Sequence, residues 1–117
     1  MGFAASQGRL LMLVARKNEL EFQLQFIQQQ RMFWGNLMTL LMQKQASTAV
    51  GGSMDPNSAA AQQLTVAQAR VAQMDKMLEM QGNRLEKQRE AIVTEMEAVN
   101  KVISKNIQQS FSLMGRG

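Results

Sequence analysis

Two pairs of carboxylates are spaced for joint chemistry on a helix. Asp75 and Glu79 are four residues apart, as are Glu86 and Glu90, and side chains four residues apart share one helical face. Such pairs serve in general acid–base catalysis or in binding a pair of metal ions. Di-iron bundles, however, combine these glutamates with histidines, and the sequence has no His. We therefore interpret both pairs as parts of solvated helix surfaces.

Few other side chains in the sequence could support catalysis or bind a metal. The sequence contains no Cys and no Tyr, and it contains 11 Met, of which Met74, Met77 and Met80 are three residues apart. Thioether metal sites usually add Cys or His ligands, so flexible packing is the better interpretation of the methionines. Gly-rich phosphate loops following a strand are also absent. We expect no catalytic residues, no metal and no cofactor, and hence no enzyme.

Charge is distributed unevenly along the chain. The net charge is +4, with basic residues in excess before residue 51 and after residue 98, and acidic residues in excess between them. In the middle, Arg84, Lys87 and Arg89 alternate with Glu86 and Glu90. Nucleic-acid binding would require a dense basic face with interleaved aromatic side chains. The pattern is instead typical of an ordinary helix surface, and we expect no nucleic-acid partner.

The elements that position these residues are two long helices. Ala, Leu, Met, Gln, Glu, Lys and Arg dominate the sequence, which has one Pro, and this composition favours helix. The main interruption contains Gly51, Gly52, Asp55 and Pro56, which suit a helix end, a helix cap and a first helical position. We predict an all-α, long antiparallel helical hairpin in one domain (1–117), with helix 1 at about 3–48, a turn at about 49–56 and helix 2 at about 57–114.

A seven-residue apolar repeat runs along each predicted helix, which is typical of supercoiled helices. Folding the chain about Gly51–Ser53 matches the two repeats, with Leu13 near Ile92 and Leu41 near Leu64. The intramolecular seam is therefore predicted to contain Leu13, Leu20, Ile27, Trp34 and Leu41 from helix 1 and Leu64, Val71, Leu78, Leu85 and Ile92 from helix 2.

Two sets of apolar residues have no place in this seam. One is a stripe roughly opposite Leu13 on helix 1, at 100° per residue, and the other lies in a tail (105–117) that overhangs the end of helix 1. A helix that is apolar on opposite sides is buried on both. We expect both sets to form contacts between subunits: Phe22, Phe26, Phe33, Leu37 and Leu40 in the stripe, and Ile107, Phe111, Leu113 and Met114 in the tail.

Neither a membrane span nor a cleaved signal is expected from the sequence. The most apolar stretch, residues 32–42, is shorter than the roughly 20 residues that span a bilayer, although it leaves open a surface contact with a membrane. The short apolar run at 10–15 is followed directly by Arg16 and Lys17, without a cleavage-like site. We expect an extracellular or cell-surface protein exported without a cleaved signal, or alternatively a cytoplasmic one.

The turn and the end of helix 2 resemble the needle-forming subunits of bacterial type III secretion systems. The turn reads Asp55-Pro56-Asn57-Ser58, and the similar positions near the C-terminus are Val99, Val102, Ile103, Ile107, Gln108 and Phe111. The resemblance implies a small helical hairpin that polymerises into a hollow tube and is handled by a secretion apparatus. More loosely, paired terminal helices also assemble in flagellin cores.

Three functional interpretations follow. The first is a structural subunit that self-assembles into a helical filament or tube, with itself as partner. The second is a soluble dimeric four-helix bundle that acts as an adaptor for a protein partner. The third is a hairpin exported by a type VII system, for which Trp34-Gly35 is suggestive, although the Tyr of the export tail is missing.

Overall fold

The computed structural model describes residues 2–50 and 58–116, and it consists of two helices. Helix α1 is Phe3–Val50 and helix α2 is Ala59–Arg116. The described residues contain no strand, which confirms the predicted all-α hairpin. The four residues predicted to form the turn, Gly51, Gly52, Asp55 and Pro56, lie outside the described part of the chain.

Helix α2 begins with a serine cap. The backbone N–H of Ala61 donates to Oγ of Ser58 over 3.2 Å, and the N–H of Gln62 donates to the Ser58 carbonyl oxygen over 3.0 Å. A side-chain oxygen that accepts from the third helical residue satisfies one of the free amides at a helix start. The helix therefore starts about two residues after the predicted position, with Ser58 as its cap.

The first of two compact units comprises residues 1–24 and 84–117. Its core is a cluster of four buried side chains, with four half-buried ones packed against it. Since each buried aliphatic side chain contributes about 1.5–3 kcal/mol, this cluster is the main source of stability in the unit. Its buried members are Leu13, Leu20, Ile92 and Val99, and its half-buried members are Leu10, Leu85, Met96 and Ile103.

Ion pairs border this core. Arg9 pairs with Glu95 across the two helices. Arg89 lies between two carboxylates, with Nη2 at 2.7 Å from Oε1 of Glu86 and Nη1 at 3.7 Å from Oε1 of Glu21. Arg89 thus faces one carboxylate from each helix, Glu21 on α1 and Glu86 on α2.

A serine occupies the seam near the start of α1. Ser6 is seven residues before Leu13 and is fully buried, yet its Oγ finds no hydrogen-bond partner in the described part of the chain. Its backbone N–H donates to the carbonyl oxygen of Gly2 over 2.9 Å. The heptad repeat therefore extends to Ser6 with a polar residue, which stabilises the seam less than a leucine would.

The second unit comprises residues 25–83. Ile27, Val71 and Leu78 are its buried apolar residues, all three at predicted seam positions. Gly82 lies against this seam, because a Cβ built on it would stand 3.7 Å from Cγ2 of Ile27. That distance is ordinary van der Waals contact, so a small side chain fits at this position.

A bidentate ion pair joins the helices of the second unit. Nε of Arg31 donates to Oδ1 of Asp75 over 3.0 Å, and Nη2 donates to Oδ2 over 3.4 Å. The hydrogen bond to Asp75 raises the pKa of Arg31, while desolvation opposes the rise. Both side chains are about 40% exposed, so the pair orients the helices more than it stabilises them.

Candidate interaction surfaces

The residues predicted for the intramolecular seam are all buried or half-buried. Six are buried and four are half-buried. The buried ones are Leu13, Leu20, Ile27, Val71, Leu78 and Ile92; the half-buried ones are Trp34, Leu41, Leu64 and Leu85.

The stripe predicted for subunit contacts is exposed at four of its five positions. In the second unit, Phe26, Phe33 and Leu40 are 55%, 61% and 61% exposed. Leu37 is half-buried and is therefore a poorer candidate for a contact with another subunit. Phe22 belongs to the first unit and is also exposed. Burying a phenyl ring contributes about 1.5–3 kcal/mol. A partner that covered this stripe would therefore gain binding free energy.

Within the second unit, the three exposed members form a row beside the seam rather than opposite it. Phe26, Phe33 and Leu40 each precede a seam residue, namely Ile27, Trp34 and Leu41, and are themselves seven residues apart. We name these three residues the flanking row. The prediction of an opposite stripe assumed a fixed 100° per residue, whereas a seam with a seven-residue repeat drifts by about 20° every heptad. This drift also turns Leu37 towards the seam.

An aromatic contact fixes part of the flanking row. The rings of Phe33 and Trp34 lie edge to face, with centroids 5.3 Å apart and an angle of 77° between their planes. Such a pair adds about 0.5–1.5 kcal/mol beyond its buried area. Because Trp34 is half-buried at a seam position, it holds the exposed phenyl ring of Phe33 in a defined orientation.

The tail of α2 in the first unit is exposed at all four of the positions predicted for subunit contacts. Ile107, Phe111, Leu113 and Met114 are 52%, 78%, 72% and 82% exposed. Three of them, Ile107, Phe111 and Met114, line a shallow groove together with Phe3, Asn106 and Ser110.

Phe3 is the apolar residue of this groove that was not predicted from the sequence. It is the first residue of α1 and is 42% exposed. The tail was predicted to overhang the end of helix 1, whereas Phe3 of α1 lies beside residues 106–114. The signal that could have located it is its position: a phenyl ring one turn before the seam residue Ser6 reaches past the end of the seam onto α2.

The carboxylates are engaged by arginines. Asp75 pairs with Arg31 and Glu86 with Arg89, so one member of each predicted carboxylate pair neutralises a cation. No group of three or more metal-ligating side chains occurs among the described residues.

The apolar stretch 32–42 lies on α1 in the second unit. Its side chains alternate between the seam and the surface: Trp34, Met38 and Leu41 are half-buried, and Met32 and Met42 are exposed. No described helix is long and apolar enough to cross a bilayer.

The flanking row on α1 and the tail of α2 are thus two exposed apolar surfaces among the described residues. The chain matches no protein-family model, no curated protein sequence and no solved structure.

Proposed function

We propose that the chain is a structural subunit that self-assembles through helix packing into a helical filament or tube. The observation that carries this proposal is the flanking row: Phe26, Phe33 and Leu40, all more than half exposed, repeat every seven residues beside the seam. A monomeric soluble helix normally presents charged and polar side chains at these positions.

The spacing of the row indicates what would cover it. Apolar residues at a constant seven-residue interval match a second long helix that follows the same supercoil. The chain offers two such helices, α1 and α2, so a second copy is the simplest occupant. Covering the row on two copies would turn a pair of two-helix units into a four-helix arrangement.

The tail makes an open assembly more favourable than a closed dimer. A closed dimer buries one patch against itself, whereas a second, different patch allows contacts that propagate from subunit to subunit. We propose that Ile107, Phe111, Leu113 and Met114 form this second contact. The resemblance of the turn and tail to needle subunits supports a bacterial secretion or surface appendage as the setting of the filament.

Electron microscopy of the purified chain across a concentration series tests the proposal. We expect elongated particles above a threshold concentration. Small uniform particles at every concentration would contradict the filament and favour the dimeric adaptor.

Removal of residues 105–117 tests the second contact. The truncated chain should keep its helical circular-dichroism signal per residue but stop at closed oligomers, as measured by analytical ultracentrifugation. Filaments that persist without the tail would show that the propagating contact lies elsewhere.

A further inference from the structure

Charged side chains near the end of α2 lie on the face of the helix that points away from α1. Glu90 and Glu97 each precede a buried seam residue by two positions, and Lys101 follows the buried Val99 by two. Two positions correspond to about 200° around a helix. These three side chains therefore point away from the seam, and all three are exposed.

The charges on this face are separated by sign. Glu90 and Glu97 come first, seven residues apart, and Lys101 and the exposed Lys105 follow at intervals of four. Side chains at these spacings lie on one side of a helix. We name these four residues the outer charges. Along the chain they read two negative charges and then two positive ones.

The outer charges form no ion pair within the part of the chain that the structure describes. Neighbouring carboxylates, by contrast, are engaged inside the unit, since Glu86 pairs with Arg89 and Glu95 pairs with Arg9. The outer charges are therefore available to another molecule.

Two negative charges followed by two positive ones are complementary to the same pattern reversed. In a second copy that lies antiparallel, about a two-fold axis near residue 98, Glu97 faces Lys101 of the first copy and Glu90 faces Lys105. Each match holds to within about two residues, or about 3 Å along the helix. The symmetry repeats both matches, which gives four ion pairs. A parallel neighbour shifted by about ten residues gives only two.

We propose that the outer charges set the contact between subunits at this end of α2, with two copies antiparallel about a two-fold axis near residue 98. The inference rests on the proposed function, in which the tail contacts another subunit. Ile107 and Phe111 directly follow the lysines, so the ionic contact continues into the apolar one. An exposed ion pair changes an association constant by at most about fivefold. The apolar side chains therefore supply most of the affinity, and the charges select the register.

Two double variants with the same net charge test this register. Glu90→Lys with Lys105→Glu exchanges charges that face each other, so all four attractive pairs remain, and the assembly threshold should stay within about threefold of its original value. Glu97→Lys with Lys105→Glu sets like charges against each other at every pair. Its threshold should rise at least about tenfold. The threshold is the concentration of chain left in the supernatant after centrifugation.

Mixing two chains tests whether the charges meet between copies. Lys101→Glu with Lys105→Glu gives a chain with four negative outer charges, and Glu90→Lys with Glu97→Lys gives a chain with four positive ones. Each chain alone should have a threshold raised at least about tenfold, whereas an equal mixture should assemble near the original threshold. A mixture that assembles no better than its components would show that the outer charges do not meet between copies.

A matched control separates the outer charges from net charge. Lys76→Glu with Lys87→Glu, at two other exposed positions of α2, changes the net charge as much as Lys101→Glu with Lys105→Glu and should assemble near the original threshold. Equal impairment by both lysine pairs would overturn the proposal. Circular dichroism below the threshold verifies that the helices of each variant are intact.

The outcomes also separate this inference from the proposed function. If the original chain assembles but the two double variants of equal net charge have the same threshold, the antiparallel contact is wrong and the filament stands. A higher threshold for Glu90→Lys with Lys105→Glu than for Glu97→Lys with Lys105→Glu would indicate the shifted parallel arrangement instead. If the original chain assembles at no concentration, the proposed function fails, and this inference fails with it.

Discussion

Replacing Phe33 by serine should weaken self-assembly more than any other single change in the flanking row. Phe33 is 61% exposed, and a buried phenylalanine removes about 150–250 Å² from water. A partner that covers the exposed part would bury roughly 90–150 Å², worth about 2–4 kcal/mol at about 25 cal/mol per Å². Ordering of interface side chains reduces this gain, to about 2 kcal/mol net.

The expected effect is large enough to measure by sedimentation. A loss of about 2 kcal/mol for each contact raises the concentration needed for assembly by roughly 30-fold. Leu40→Ser should raise it by about tenfold, because leucine has less area to bury than phenylalanine. The assay is the concentration of chain that remains in the supernatant after centrifugation, which at equilibrium equals the assembly threshold.

Leu11→Ser provides the matched control for Leu40→Ser. Leu11 is 73% exposed against 61% for Leu40 but does not belong to the flanking row. If Leu11→Ser raises the threshold as much as Leu40→Ser, assembly responds to general surface hydrophobicity. If neither Leu40→Ser nor Phe33→Ser changes the threshold, the row makes no contact between subunits and the reasoning fails.

Stability measurements by urea unfolding, below the assembly threshold, check three further expectations. Gly82→Ala should stabilise the fold by about 1 kcal/mol, since alanine favours helix and the new methyl meets Ile27 at contact distance; destabilisation would mean that the seam is tighter there. Leu20→Ala should cost about 2–4 kcal/mol and Leu11→Ala less than about 0.5 kcal/mol, and equal costs would contradict the assignment of the core. A double-mutant cycle on Arg31 and Asp75 should give a coupling of about 0.2–1 kcal/mol, and a much larger value would indicate a buried pair.

The helices and their seam follow from composition and from the seven-residue repeat, both of which are local properties of the sequence. Leu13, Leu20 and Ile27 could be predicted as seam residues because each recurs at the spacing of a supercoil. The start of α2 could be predicted only to within about two residues, because the cap at Ser58 competes with an equally suitable sequence at Asp55.

The flanking row shows a different limit. Its residues could be identified from the sequence as apolar and outside the seam. Their direction around α1 depends on the angular drift of the seam, and this drift accumulates along the helix. The position of Phe3 one turn before Ser6 places it near the end of the seam, but its contact with α2 depends on the reach of one side chain. The function is harder still to predict from the sequence. An exposed apolar surface indicates that a partner covers it but does not identify that partner.

Ser6 has a consequence for how the molecule opens. Among the described residues, the fully buried Ser6 hydroxyl has no hydrogen-bond partner, so it stabilises the native pairing less than the leucines farther along the seam do. The buried Nδ2 of Asn106 on α2 likewise has no partner in this part of the chain. Local opening should therefore begin at the start of α1. Amide hydrogens of residues 6–10 should exchange with deuterium sooner than those of residues 17–24, and Ser6→Val should slow the exchange. The same opening would expose Met96 and Ile103 of α2. Ser6 therefore determines how readily the exposed apolar surface of the tail extends towards the core of the unit.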